Sequence, residues 1–105
     1  MGGSGSSGYT PSTPKNSCAT LVFQATLSSP QPAVLVKLKI SEILAVELAP
    51  GGRSVHVLRR GGTIAGSLIA PQVARLINCI NNGYEYTATV VKLDGGRCVV
   101  SIEAK

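Results

Sequence analysis

Three Gly-Gly pairs, at residues 51–52, 61–62 and 95–96, punctuate the second half of this 105-residue chain. The segments that flank them alternate apolar and polar residues, most regularly in residues 41–48 and 84–93. Glycine pairs adopt the left-handed backbone of tight hairpin turns, and a period of two places one side of a strand in a core. The chain is therefore constrained to short antiparallel strands joined by hairpins.

The same pattern predicts strands over residues 18–27, 41–48, 53–60, 63–68, 84–93 and 97–104. Residues 33–38, which follow Pro32, fit either a strand or a short helical turn. Gly66 interrupts one strand, which indicates a bulge or a close approach of two backbones. One helix is predicted over about residues 70–82, because apolar side chains recur there at helical spacing: Val73, Leu76, Ile77 and Ile80.

These elements favour a mainly β fold, a β-barrel or half-barrel of about six or seven short strands with the α-helix near residues 70–82 at one end. A chain of this length leaves no room for a second core, so residues 17–105 are expected to form a single domain. Residues 1–16 are mostly Gly, Ser, Thr and Pro and are expected to form a flexible tail. Within the tail, residues 2–8 have the composition of an artificial linker.

The three cysteines, Cys18, Cys79 and Cys98, are far apart and include no Cys-x-x-Cys pair. With a single histidine in the chain, we expect no metal site. We expect buried, reduced thiols, with Cys18 close to Cys98 if the first and last strands are neighbours. No signal peptide or transmembrane segment is recognisable, so the sequence predicts a cytoplasmic protein with no membrane partner.

Catalytic chemistry has little support in the sequence. The five acidic residues stand singly, and His56 has no nucleophile motif or second histidine near it. None of the Gly-Gly pairs belongs to a phosphate-binding loop or a dinucleotide fingerprint. We therefore expect a protein that is not an enzyme and that holds no cofactor.

The basic residues point to an anionic partner. The chain carries a formal net charge of +5, and residues 53–60 contain Arg53, His56, Arg59 and Arg60 without an acidic residue. Guanidinium groups and turn N–H groups match phosphate oxygens well. The alternative interpretation is a solvated surface loop. Four further basic residues would extend this surface if they share a face of the barrel: Lys37, Lys39, Lys92 and Arg97.

Tyr84 and Tyr86 stand two residues apart and would project from the same side of a strand. On an outer face beside arginines, they would form a small platform for stacking nucleobases. On the inner face they would be core residues, which the neighbouring alternation favours for at least one of them.

Residues 43–102 resemble the HIRAN family of small β-barrel domains. The similar segments are residues 43–48 (ILAVEL), 63–68 (TIAGSL), 74–77 (ARLI) and 83–90 (GYEYTATV), in the family's order of elements. The resemblance implies a barrel with one helix and a role in binding DNA, in particular single-stranded DNA. The family's polar loop is shorter here, at residues 49–54, so no binding residue carries over by motif.

The sequence as a whole predicts a non-enzymatic small binding module with nucleic acid, most of all DNA, as its partner. The alternative is a protein interaction or assembly module, either an accessory subunit of a larger system or a homo-oligomer, because the chain is 44% hydrophobic and only 14% charged. The predicted nucleic-acid-binding residues are Arg53, His56, Arg59, Arg60, Lys92, Arg97 and Tyr84.

Overall fold

The computed structural model describes residues 18–105, so the predicted tail lies outside the described residues. Six strands are present: β1 (Val22–Ser28), β2 (Ile43–Leu48), β3 (Val55–Leu58), β4 (Ile64–Leu68), β5 (Tyr86–Asp94) and β6 (Arg97–Ala104). Two helices accompany them, α1 (Pro32–Leu35) and α2 (Val73–Asn81), and residues 18–20 are also helical. Within residues 18–105, no helix is long and apolar enough to cross a membrane.

The strands form a closed barrel in the order β1-β4-β3-β2-β5-β6, with every neighbouring pair antiparallel. The predicted mainly β barrel is confirmed, and it is closed rather than a half-barrel. Strands β2, β3 and β4 follow one another as hairpins, and β1 returns beside β4 in a Greek-key arrangement. Closure gives each strand a hydrogen-bonded neighbour on both sides.

The two helical segments cover opposite ends of the barrel. Helix α2 buries Leu76 and Cys79 against the core at the end where the β2–β3 turn lies and β5 begins, and we call this the α2 end. Helix α1 and residues 36–42 cover the other end with Leu35 and Leu38, beside the β3–β4 and β5–β6 turns. We call this the α1 end. The predicted helix is therefore confirmed with shorter bounds, and residues 33–38 hold a short helix rather than a strand.

Gly66 lies where two backbones approach each other, as the sequence predicts. A Cβ atom at this position would lie 3.1 Å from both the Cβ of Leu27 and the carbonyl oxygen of Ser28. The β3–β4 pairing also shifts register between Val57 and Leu58. Val57 pairs with Gly66 and Leu58 with Ile64, so the extra residue is Ala65 on β4, and Ala65 and Gly66 are consecutive buried residues.

The prediction of the first strand is wrong for its N-terminal residues. Residues 18–20 are helical, and β1 begins only at Val22. The cause is a disulfide between Cys18 and Cys79 of α2, which holds residue 18 at the α2 end instead of in the barrel wall. Tyr86 also donates its hydroxyl proton to the carbonyl oxygen of Cys18, at 2.6 Å.

The disulfide also corrects the expectation of three reduced thiols. Cys18 pairs with Cys79, across the barrel end, and Cys98 is the free cysteine that the sequence predicts, fully buried on β6. Sequence reasoning considered only strand neighbours for Cys18, and it missed that α2 folds back over the start of β1. Burial raises the pKa of the Cys98 thiol, which keeps this group protonated and unreactive.

Replacing Gly66 with alanine is expected to lower the free energy of unfolding by about 1–3 kcal/mol, because the added methyl group overpacks the contact between β4 and β1. Urea denaturation followed by circular dichroism measures the change. Ser67→Ala is the control on the same strand, with an expected effect within about 0.5 kcal/mol. Equal free energies of unfolding for the Gly66→Ala variant and the native chain would contradict this expectation and show that β1 can move away from β4 without loss of stability.

Reducing the disulfide is expected to lower the free energy of unfolding by about 2–5 kcal/mol, since it closes a loop whose ends are 61 residues apart in sequence. Denaturant titrations with and without a reductant measure this difference. Thiol titration of the denatured chain should find one thiol before reduction and three after it, given three cysteines in the sequence. Three thiols in the oxidised, purified protein would contradict the pairing.

Candidate functional site

Charge is segregated along the barrel axis. The α1 end carries six basic residues against two acidic ones, a net +4: Lys37, Lys39, Arg59, Arg60, Lys92 and Arg97 against Glu42 and Asp94. The rest of residues 18–105 carries three of each, a net charge of zero: Arg53, Arg75 and Lys105 against Glu47, Glu85 and Glu103. The entire net charge of the described residues therefore lies at the α1 end.

The strand registers explain how residues distant in sequence meet at this end. Arg59 and Arg60 form the β3–β4 turn, and Arg97 begins β6 opposite Asp94 of β5. Residues 41 and 42 lie between these two turns. The N–H of Ser41 and the carbonyl of Glu42 hydrogen-bond to the backbone of Val90 on β5, and the carboxylate of Glu42 pairs with Arg59 of the β3–β4 turn. Four of the predicted binding residues, two in the β3–β4 turn and two on β5 and β6, are thus brought to one end of the barrel.

Glu42 is an acidic partner that the sequence did not predict. Its Oε2 accepts a hydrogen bond from the Nε of Arg59 at 3.0 Å, in an ion pair whose side chains are 31% and 23% exposed. Its Oε1 accepts from the backbone N–H of Lys39 at 3.2 Å. The pair fixes the position of Arg59, while Arg60 remains exposed at the tip of the turn. A local window of sequence misses Glu42, which lies 17 residues before Arg59.

Arg53 and His56 are not brought to the α1 end. Arg53 lies in the β2–β3 turn at the α2 end, separated from Arg59 by β3, whose four residues span about 10 Å. His56 lies partly exposed on the barrel wall, opposite Glu47 on β2 and Ser67 on β4. Residues 53–60, which form one continuous basic segment in the sequence, are therefore divided in the structure between the two ends of the barrel and its wall.

The tyrosines lie at the α2 end. Tyr86 is buried in the core, which confirms the prediction that at least one of the two is a core residue. Tyr84 precedes β5, is half-buried, and donates its backbone N–H to the carbonyl of Cys79. Burial, and then the proximity of Tyr84, raises the pKa of Tyr86 above its ordinary value of 10.0. Neither ring stands beside the basic residues of the α1 end.

Aliphatic side chains interleave with these basic residues, which sequence reasoning did not anticipate. Five of the seven large hydrophobic residues exposed within residues 18–105 lie at the α1 end: Val36, Ile40, Ile43, Ile64 and Val91. An apolar groove of about 310 Å³ also opens there, between α1 and the β5–β6 turn, with Pro32, Val36, Leu93 and Arg97 in its walls. The available signal was the run Val-Lys-Leu-Lys-Ile at residues 36–40, in which only Leu38 is buried.

Within residues 18–105, no three His, Cys, Asp or Glu side chains are grouped so that they could hold a metal ion. The α1 end instead offers exposed guanidinium and ammonium groups. These are donors suited to an extended anion.

Comparison with known proteins bears on the fold. No protein-family model and no curated protein matches the chain. A crystal structure of a structural genomics target from Lactobacillus plantarum is similar, with a TM-score of 0.68 and 14% identity, over 80% of this chain and 93% of that one. At this identity the likeness shows the fold alone. The HIRAN resemblance stays a prediction.

Tyr86→Phe is expected to lower the free energy of unfolding by about 1–2 kcal/mol at neutral pH, because the buried carbonyl of Cys18 loses its donor. The raised pKa means that the folded state favours the neutral phenol. The stability that Tyr86 contributes is therefore complete below its unfolded pKa and declines as the pH rises through its higher folded pKa. Denaturant titrations of both chains at increasing alkaline pH should show the difference between them shrinking. A difference that stays constant would argue that Tyr86 ionises alike in both states.

Proposed function

We propose that this protein is a non-enzymatic binding module that contacts nucleic acid, most of all DNA, through the α1 end of its barrel. The observation that carries the proposal is the segregation of charge, with a net +4 at one end and zero over the rest of the described residues. Arg59, Arg60, Lys92 and Arg97 are the contacting residues predicted from the sequence. Lys37 and Lys39, which the sequence also offers as extensions of this surface, are the other two basic residues of the α1 end.

A polyanion is the partner that such an end favours on physical grounds. Six like charges gathered on one end repel each other in the free protein, and a phosphate chain relieves that repulsion while it releases its condensed counterions. Arg60 lies exposed at the tip of the β3–β4 turn and Arg97 lies exposed at the start of β6, and from both positions a forked guanidinium can reach phosphate oxygens. The resemblance to the DNA-binding HIRAN family supports the same partner.

Replacing Arg59 and Arg60 together with alanine is expected to weaken binding to DNA by at least about tenfold at low salt and to lower the salt dependence by about two phosphate contacts. Fluorescence anisotropy with labelled oligonucleotides at about 50 mM salt measures the affinity. The matched control is Arg53→Ala with Arg75→Ala, which removes the same charge from the α2 end. This control should bind nearly as well as the native chain.

The outcomes separate the position of charge from its amount. Equal losses in the two double variants would show that only total charge matters, which contradicts a site at the α1 end. Because Arg59 pairs with Glu42, thermal unfolding of each variant checks that the barrel remains folded. No binding of the native chain to any oligonucleotide at about 50 mM salt overturns the proposal.

A protein interaction or assembly module is the second candidate, favoured by the exposed aliphatic residues of the α1 end. Val36 is 82% exposed and Ile43 is 66% exposed. Large aliphatic side chains exposed together on one surface favour burial against a protein partner. Mass measurement in solution distinguishes the candidates. A discrete oligomer without affinity for nucleic acid would favour assembly.

The predicted cytoplasmic location belongs to the same proposal. The disulfide sharpens its test, because reducing compartments keep most cysteine pairs open. Alkylation carried out while cells are being denatured, which exposes the buried thiol, should block Cys98 alone if the protein resides in an oxidising compartment. Alkylation of all three cysteines supports the cytoplasm.

A further inference from the structure

We propose that the α1 end binds double-stranded DNA through its phosphate backbones and without preference for base sequence. The inference rests on the proposed function and names the form of nucleic acid that this surface takes. Three observations carry it: the spacing of two basic clusters, the chemistry of the surface between them, and the position of the aromatic residues.

The basic residues form two clusters, one in a turn and one on a hairpin. The first is the β3–β4 turn, with Arg59 and Arg60, and the second is the β5–β6 hairpin, with Lys92 and Arg97. Strands β2 and β5 stand between β3 and β6 in the barrel wall. Two interstrand spacings separate β3 from β5, which carries Lys92, and three separate it from β6, which carries Arg97, so the clusters lie on the order of 10–14 Å apart around the wall. The major groove of B-DNA is about 12 Å wide, so the two clusters suit the phosphate backbones on either side of it.

The surface between the clusters is largely aliphatic, and Lys39 and Ser41 are its exposed polar side chains. Ile40, Ile43 and Val91 lie there with 55%, 66% and 38% of their surface exposed. The acidic side chain nearest to them, Glu42, already accepts hydrogen bonds from Arg59 and from the N–H of Lys39. Discrimination among base pairs in the groove depends mainly on hydrogen bonds to base edges. Contact through phosphates therefore dominates, and sequence preference is weak.

The aromatic side chains of residues 18–105 all lie away from this end. Phe23 and Tyr86 are buried in the core, and Tyr84 lies half-buried at the α2 end. Proteins that bind single strands without sequence preference combine a basic groove with aromatic rings on which bases stack. The α1 end offers charge without stacking. Duplex DNA presents phosphates at about twice the density of one strand and needs no stacking partner, so it is the favoured form.

The decisive experiment compares DNA forms by anisotropy under one set of conditions. The probes are two duplexes of about 20 base pairs, one rich in A·T and one rich in G·C, and an oligothymidine of the same length, each titrated between about 50 and 200 mM salt. The duplexes should bind at least about tenfold more tightly than oligothymidine and within about threefold of each other.

Variants test whether both clusters take part. Arg59→Ala with Arg60→Ala, and separately Lys92→Ala with Arg97→Ala, should each weaken duplex binding and bring it close to binding of the single strand. Each pair should also lower the slope of log affinity against log salt by about two. Arg53→Ala with Arg75→Ala should keep the duplex preference. A preference that depends on only one cluster contradicts the two-backbone geometry.

The remaining outcomes separate this inference from the proposed function. Oligothymidine that binds as tightly as the duplexes, or a strong difference between the two duplexes, overturns the inference while nucleic-acid binding stands. Failure of all three probes at about 50 mM salt overturns both. In that case, sedimentation with vesicles of phosphatidylglycerol and phosphatidylcholine tests an anionic bilayer, which the exposed Val36 and Ile40 would also suit. Binding to vesicles alone would assign the α1 end to a membrane surface.

Discussion

Closure of the barrel by β1 is the constraint on which the rest of this structure depends. Strand β1 pairs with β6 at five positions but with β4 at only two, so the β1–β4 seam is the narrowest part of the wall. Gly66 permits the close approach at this seam, and the disulfide from Cys18 to α2 holds the chain that leads into it. The first strand must find partners that lie late in the chain, which makes closure costly in loop entropy.

Closure of the barrel also defines its two ends, and the distribution of the hairpin turns between these ends produces the charge asymmetry. Hairpin turns of an antiparallel barrel alternate between its ends, so residues that are neighbours in a hairpin can lie at opposite ends while distant turns meet. Arg53 and Arg59 illustrate the first case, and Arg60 and Arg97 the second. The sequence carries a net charge of +5. Its basic residues form one surface only because the strand topology brings most of them to the same end of the barrel.

Several elements were predictable because their causes are local. Alternation of side chains defined β2, β5 and β6 to within a few residues, and helical spacing defined α2. The bulge near Gly66 was predictable because a glycine within a strand allows a close backbone approach that a side chain would block. Residues 18–20 were mispredicted, since their conformation depends on a disulfide partner 61 residues away. Glu42 escaped notice for a similar reason: its pairing with Arg59 is tertiary.

The sequence by itself determined the fold class, the single core, the helix and the excess of basic residues, because periodicity, turn glycines and composition act over a few residues. Only the tertiary structure decided that the barrel closes, that Cys18 pairs with Cys79, that Tyr84 and Tyr86 lie away from the basic residues of the α1 end, and that this end holds all the net charge of residues 18–105. These properties depend on strand order and register, which arise from contacts between residues distant in the chain.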